Sequence, residues 1–234
     1  MKADLIIEED IDNFYVSWSD LMALLLVFFI YLYSISEIDV VKFLETKEAM
    51  QGGLVTETEK NLLEILKLEQ QKLQQMQVDI THFITEENLQ DVFSVEFLDD
   101  RLELNMGNAL LFSLGESSLK GKAKSVLGKL GVMFDKSDSK IIVEGHTDNI
   151  PIKTKEYPSN WELSSSRASS VVRFLTSKGV AGSKFVVIGY NQYVPLVPNV
   201  NESSRAKNRR VKITLKPDTE KLIEQARKGS NTNG

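Results

Sequence analysis

The feature that most constrains this chain lies near its N-terminus. From Phe14 to Ser36 the sequence reads FYVSWSDLMALLLVFFIYLYSIS, and Asp20 is its only charge. A membrane-spanning helix needs roughly 20 mostly apolar residues, so this run is long enough to cross. Tyr15 and Trp18 toward one end, and Tyr31 and Tyr33 toward the other, suit the aromatic belts of a bilayer. A cleaved signal peptide is the first rival. It wants a positive n-region, whereas MKADLIIEEDID is acidic with only Lys2 in its favour; Ser34-Ile35-Ser36 does have the small-x-small form of a cleavage site. The second rival is a helix capped by Ser19 or Asp20 and starting at Leu21, which leaves an apolar run too short to span. A spanning helix is the preferred reading. Its orientation is not set by charge bias, because Asp4, Glu8, Glu9, Asp10 and Asp12 precede it and Glu37, Asp39 and Lys42 follow it.

Composition excludes more than it selects. The 234 residues leave room for one ordinary domain and some extra segments. A net charge of -5 without a basic, aromatic-interleaved stretch speaks against a nucleic-acid partner. With no cysteine, disulfides, thiolate zinc sites and a thiol nucleophile are excluded. Two histidines, His82 and His146, are too few and too far apart for a metal cluster. No phosphate-cradling glycine loop or nucleophile elbow occurs, and Glu144, His146 and Asp148 lack a third element for hydrolysis. The chain therefore reads as a non-enzyme without a resident cofactor.

Six segments follow from the pattern: a tail at 1–13, the membrane helix at 14–36, an amphipathic stretch at 37–50, a helical linker at 51–91, a domain at 92–217 and a tail at 218–234. Ile38, Val41 and Leu44 stand at helical spacing before Gln51-Gly52-Gly53 breaks the stretch. In the linker, Leu62, Leu66, Glu69, Leu73, Met76, Ile80 and Phe83 recur at spacings of four and three, a heptad seam with one polar interruption. That seam predicts either a coiled-coil-like dimer contact or a helix lying on its own domain. In the domain, VEFLDDRLELNM reads as a hairpin, Ser117–Phe134 and Trp161–Lys178 as helices, and KIIVEG, KFVVIG and RVKITL as strands. Strands alternating with helices predict an α/β sandwich.

A charged side chain in the bilayer costs roughly 2.5–3.5 kcal/mol on insertion scales, so it persists where it faces a partner helix or a wet cavity. Ser17, Asp20, Ala23, Leu24, Val27, Tyr31 and Ser34 share one helix face, richer in small and hydroxyl side chains than the Leu26/Phe29/Ile30 side. A carboxyl there has two states, and exchanging a cation for its proton gives a switch; an aspartate merely satisfied near the interface is the plainer alternative. WSDLMALLLVFFIYLYSIS followed by EIDVVKF resembles the transmembrane segment and plug of the flagellar stator subunit MotB and its sodium-driven relatives. The resemblance implies that Asp20 carries the transported ion (H+ or Na+) and that Glu37–Glu48 is the plug. It departs from the family at Ala23, where threonine is common, and in its acidic rather than basic N-terminal tail.

The second motif is GHTDNIPIKTKEYPSNWELSSSRASSVVRFL, Gly145 to Leu175. A buried strand would deliver Thr147 and Asp148 to a loop, and a helix beginning near Asn160 would present Arg167 about two turns in. Asp148 and Arg167 could then face each other across a cleft and suit a zwitterionic ligand, the one taking an ammonium and the other a carboxylate; spacing alone fits a structural ion pair as well. With RAKNRRV at Arg205–Val211, this motif is similar to the OmpA-like peptidoglycan-binding domain. That resemblance implies a βαβαβ-type fold gripping the diaminopimelate of wall peptide, Asp148 and Arg167 as the contacting pair, Asn160 and Arg209 in support, and His146 ordering the loop. Together the two resemblances imply a stator B subunit, single-pass in the cytoplasmic membrane with its C-terminal domain extracytoplasmic. The implied partners are a MotA-like membrane subunit, peptidoglycan and a second copy of the chain. A related motor (a Zorya-type anti-phage complex or a gliding system) and a passive envelope tether remain as alternatives.

Overall fold

The computed structural model describes residues 2–35, 40–51 and 56–230. They fall into two compact units divided between Met50 and Gln51.

The first unit is two helices, α1 (Lys2–Ile35) and α2 (Val40–Gln51). Within α1, Tyr15–Tyr33 is a 19-residue stretch of mean hydropathy 1.8, none of it buried, long and apolar enough to cross a membrane. The plug-like stretch expected at 37–50 is helical from Val40 onward; Glu37, Ile38 and Asp39 lie outside the described residues, as do Gly52 and Gly53.

The second unit runs α3 (Glu57–Glu86), β1 (Phe93–Leu98), β2 (Arg101–Gly107), α4 (Asn108–Leu111), α5 (Gly121–Asp135), β3 (Ser139–His146), α6 (Asn160–Ser177), β4 (Phe185–Gly189), α7 (Glu202–Asn208), β5 (Arg210–Pro217) and α8 (Thr219–Ser230). The strands form one sheet in the order β1-β2-β5-β3-β4. Only β3 and β4 pair in parallel, across the α6 crossover; the other neighbours are antiparallel. Alternation sends Leu102, Leu104 and Met106 of β2, and Val211, Ile213 and Leu215 of β5, into one core with α3, α5 and α6. The opposite face carries charge, with Lys212 Nζ 3.0 Å from Glu103 and 3.8 Å from Glu144. The chain thus has the α/β architecture that its pattern predicts.

One expectation is corrected and one open alternative is resolved. The helix read from Ser117 begins only at Gly121, because Phe112 and Leu119 form a β-bridge and the Ser117 hydroxyl bonds the Tyr157 hydroxyl at 2.8 Å, holding those residues as a turn. Of the two readings of the heptad seam, α3 takes the second and lies on its own domain. Thr56 caps the helix, accepting from the Glu59 N–H while the Glu59 carboxylate accepts from the Thr56 N–H at 2.9 Å. From there Leu62, Leu66, Glu69, Leu73, Met76, Ile80 and Phe83 are all buried, against α8 and the sheet. Even the polar member is used internally: Glu69 accepts from Ser139 Oγ at 3.2 Å and from Lys72 Nζ at 3.1 Å.

Candidate functional site

The site forms where β3 ends and α6 begins. Beyond His146 the strand geometry stops, and the loop is held by its own polar groups. The Thr147 N–H donates to the Asn191 carbonyl at 2.9 Å, and Asp148 Oδ1 accepts from the Ile150 N–H at 3.1 Å, which fixes the direction of the carboxylate. The start of α6 is closed by a capping box. Ser159 Oγ accepts from the Trp161 N–H at 3.1 Å, and the Glu162 carboxylate accepts from the Ser159 N–H at 2.8 Å. Asn160 Nδ2 then donates to the Ile150 carbonyl at 2.9 Å and the Asp148 carbonyl at 3.4 Å, tying loop to helix. Two glycines let α6 lie close on the sheet. A Cβ on Gly145 would collide with the Ser164 carbonyl, and one on Gly189 with the hydroxyls of Ser164 and Ser165.

This packing drives Arg167 into the protein, where it is 3% exposed. Its Nε donates to the Glu116 carbonyl at 2.9 Å, and its guanidinium lies over the Phe112 ring, 5.4 Å from the centroid. Burial pushes its pKa down to about 10, with the charges of Tyr157 and Asp148 opposing, so it stays cationic near neutrality. Among the described residues no carboxylate forms an ion pair with it. Charge without a counter-charge in such a place is costly unless something else supplies one.

Asp148 pairs elsewhere. Arg209 Nη1 donates to Asp148 Oδ2 at 2.6 Å, and its Nη2 donates to Glu202 Oε1 at 2.6 Å. The plainer alternative, a direct Asp148–Arg167 ion pair, is not what forms; the ion pairs run Asp148–Arg209–Glu202. The reason is register: β5 pairs antiparallel with β3 so that Arg210 lies opposite His146, which brings Arg209 beside the loop that carries Asp148. Burial works against the Arg209 charge, but the two carboxylates more than offset it and raise its pKa above the ordinary value. Asp148, Asn160, Arg167 and Arg209 nonetheless all line one cleft of about 350 Å³, with Leu114, Ile150, Pro151 and Ile152 as its apolar wall. Asp20 lies on α1, in the other unit. Glu202, a first-turn residue of α7, also lines the cleft, and nothing in its local sequence pointed to it.

Chemically the cleft offers one buried guanidinium with open N–H groups, two carboxylates held by Arg209, and apolar walls. That set complements a small ligand carrying both a carboxylate and an ammonium on an aliphatic stem. His146 is buried, stacks on Tyr190 with centroids 5.2 Å apart and has Nε2 3.6 Å from Glu144 Oε2. Among the described residues no group of three or more His, Cys, Asp or Glu is arranged to hold an ion.

Residues 111–209 match the OmpA family, and residues 7–54 match the family described as membrane MotB of the proton-channel complex MotA/MotB. The chain is 35% identical to the uncharacterized protein YtxE of Bacillus subtilis, over 86% of this chain and 87% of that protein. It is 29% identical to motility protein B of the same organism, over 90% of this chain and 93% of that protein. The cell wall anchor of the type VI secretion system (T6SS) from Pseudomonas aeruginosa has a similar solved structure, at TM-score 0.54 and 32% identity over 58% of this chain and 96% of that chain.

Proposed function

The chain belongs to the MotB-like membrane proteins with a C-terminal OmpA-family domain, and from that membership we propose that it is the B-type stator subunit of an ion-driven motor. The membership itself makes it a membrane-anchored, non-enzymatic component, either a stator B subunit or an envelope tether. The finer reading assigns Asp20 as the carrier of a cation, and the cleft of Asp148, Asn160, Arg167 and Arg209 as the grip on peptidoglycan through the diaminopimelate of its stem peptide.

One observation carries this reading: a lone carboxylate in a membrane-length apolar helix occurs in the same chain as a cleft holding an unpaired buried guanidinium. Each is costly alone. Together they make the two ends of a machine. A MotA-like membrane subunit would supply the helices that face Asp20, and a cation moving through them releases about 2.3 kcal/mol per 100 mV. That energy becomes work only if the complex is held fixed, and wall peptide in the cleft would hold it. A homodimer, which the family resemblance implies, would have to use surfaces other than the α3 seam, since that seam is filled from within the domain.

The similarity to a cell wall anchor favours one second reading, a passive tether. Asp20→Asn separates the two. A motor subunit should still insert and bind wall but lose motility or its equivalent output completely, as read in a strain depending on this chain alone. Full output from the Asn variant would eliminate the ion-carrier role and leave the tether.

A further inference from the structure

The geometry points to a second contact with the same polymer: Trp161 and Tyr193 form an aromatic pair for a sugar ring of the wall glycan, with Trp161 one residue along the chain from Asn160 of the cleft. This rests on the proposed function of the cleft and adds to it a carbohydrate subsite.

The two rings have centroids 5.5 Å apart and an interplanar angle of 30°. Both are open to solvent, Trp161 at 47% and Tyr193 at 66% exposure. Paired exposed aromatics are unusual on a surface that binds nothing. The backbone that carries both rings is held in place. Trp161 follows Asn160, a residue of the cleft, and its N–H is held by the Ser159 cap. Tyr193 sits on the loop after β4, where its N–H donates to the Tyr190 carbonyl at 3.1 Å. That loop is pinned at Asn191, which adopts the left-handed region at φ 53°. The Asn191 N–H donates to Ser164 Oγ of α6 at 3.2 Å, and its carbonyl accepts from Thr147, the residue before Asp148. Further along, buried Asn208 holds the N–H groups of Leu196 and Val197 at 2.8 and 3.0 Å. The platform is thus fastened to the same helix and strand end that carry Arg167 and Asp148. Aromatic faces in a fixed position lose little entropy on binding and match the apolar C–H face of a pyranose ring. A stem peptide in the cleft is covalently joined to such a sugar, so the neighbour of the bound peptide has the chemistry that this platform accepts.

The test uses the full chain in detergent, with two probes: insoluble wall polymer, and stem peptide freed of glycan. Trp161→Ala and Tyr193→Ala should each weaken binding to the polymer, about tenfold for the tryptophan, and leave stem-peptide binding unchanged, with Trp161→Phe retaining most of it. Unchanged polymer binding in both alanine variants, or an equal loss for both probes, would overturn the platform. So would lost self-association in sedimentation with polymer binding intact, since the pair would then be a protein contact. Failure of the underlying reading looks different: Arg167→Ala would leave binding of the free stem peptide intact.

Discussion

Arg167 and Asp148 show how much of the proposed binding site rests on the shape of one functional group. Arg167 is buried by its helix and meets the cleft with a planar fork of donors, only one of which is used inside the protein. Lysine keeps the charge and loses the fork. Arg167→Lys is therefore expected to weaken stem-peptide binding by about 1.5–3 kcal/mol, the usual worth of a hydrogen bond to a charged group, measurable by titration calorimetry. Retention of full affinity would mean that charge alone matters there. At this scale the sequence was informative about identity and silent about partnership. The residues Asp148, Asn160, Arg167 and Arg209 were legible from two motifs, and the structure gathers them into one cleft. The Asp148–Arg209–Glu202 chain was not legible. It depends on Arg210 standing opposite His146, a register between strands far apart in sequence, and no local spacing encodes that.

Among the elements, α3 is the instructive case. Its apolar stripe was plain, because seven positions follow helical spacing; what covers a stripe is not written in its period. Here the cover is the chain's own sheet and α8. Ile80, fully buried toward the C-terminal end of the stripe, makes this testable. Ile80→Ala should cost about 2–5 kcal/mol of domain stability in urea, and the loss should not depend on protein concentration. A concentration-dependent loss would return α3 to the role of a dimer helix. Most strands were legible for the same reason that α3 was, since alternation or a short apolar run reports a face. The false start of the helix before Gly121 is the converse. Ser117 and Leu119 have acceptable helical neighbours, but the Phe112–Leu119 bridge and the Ser117–Tyr157 hydrogen bond outweigh local preference.

For the whole molecule, pH is a lever. Burial lowers the pKa of His146 below its ordinary 6.5, the nearby Glu144 carboxylate opposing and the charges of Arg210 and Lys212 assisting. The folded state therefore keeps this histidine neutral, while the unfolded chain takes up a proton once pH drops below about 6.5. Stability present above that value is lost as pH falls toward the folded pKa. Melting curves from pH 7 to pH 5 should show a steeper loss for the native chain than for His146→Gln; equal slopes would place the acid sensitivity elsewhere. The arrangement of the sheet has a mechanical consequence as well. Glu69, in the first half of α3, is tied to Ser139 at one end of β3, while Asp148 lies just past the other end. A pull between the N-terminal end of α3 and a ligand in the cleft would therefore run lengthwise along β3, which is bonded over its whole length to β5. Such a load shears many hydrogen bonds at once instead of unzipping them singly, so the strand order suits the anchoring role proposed for the domain.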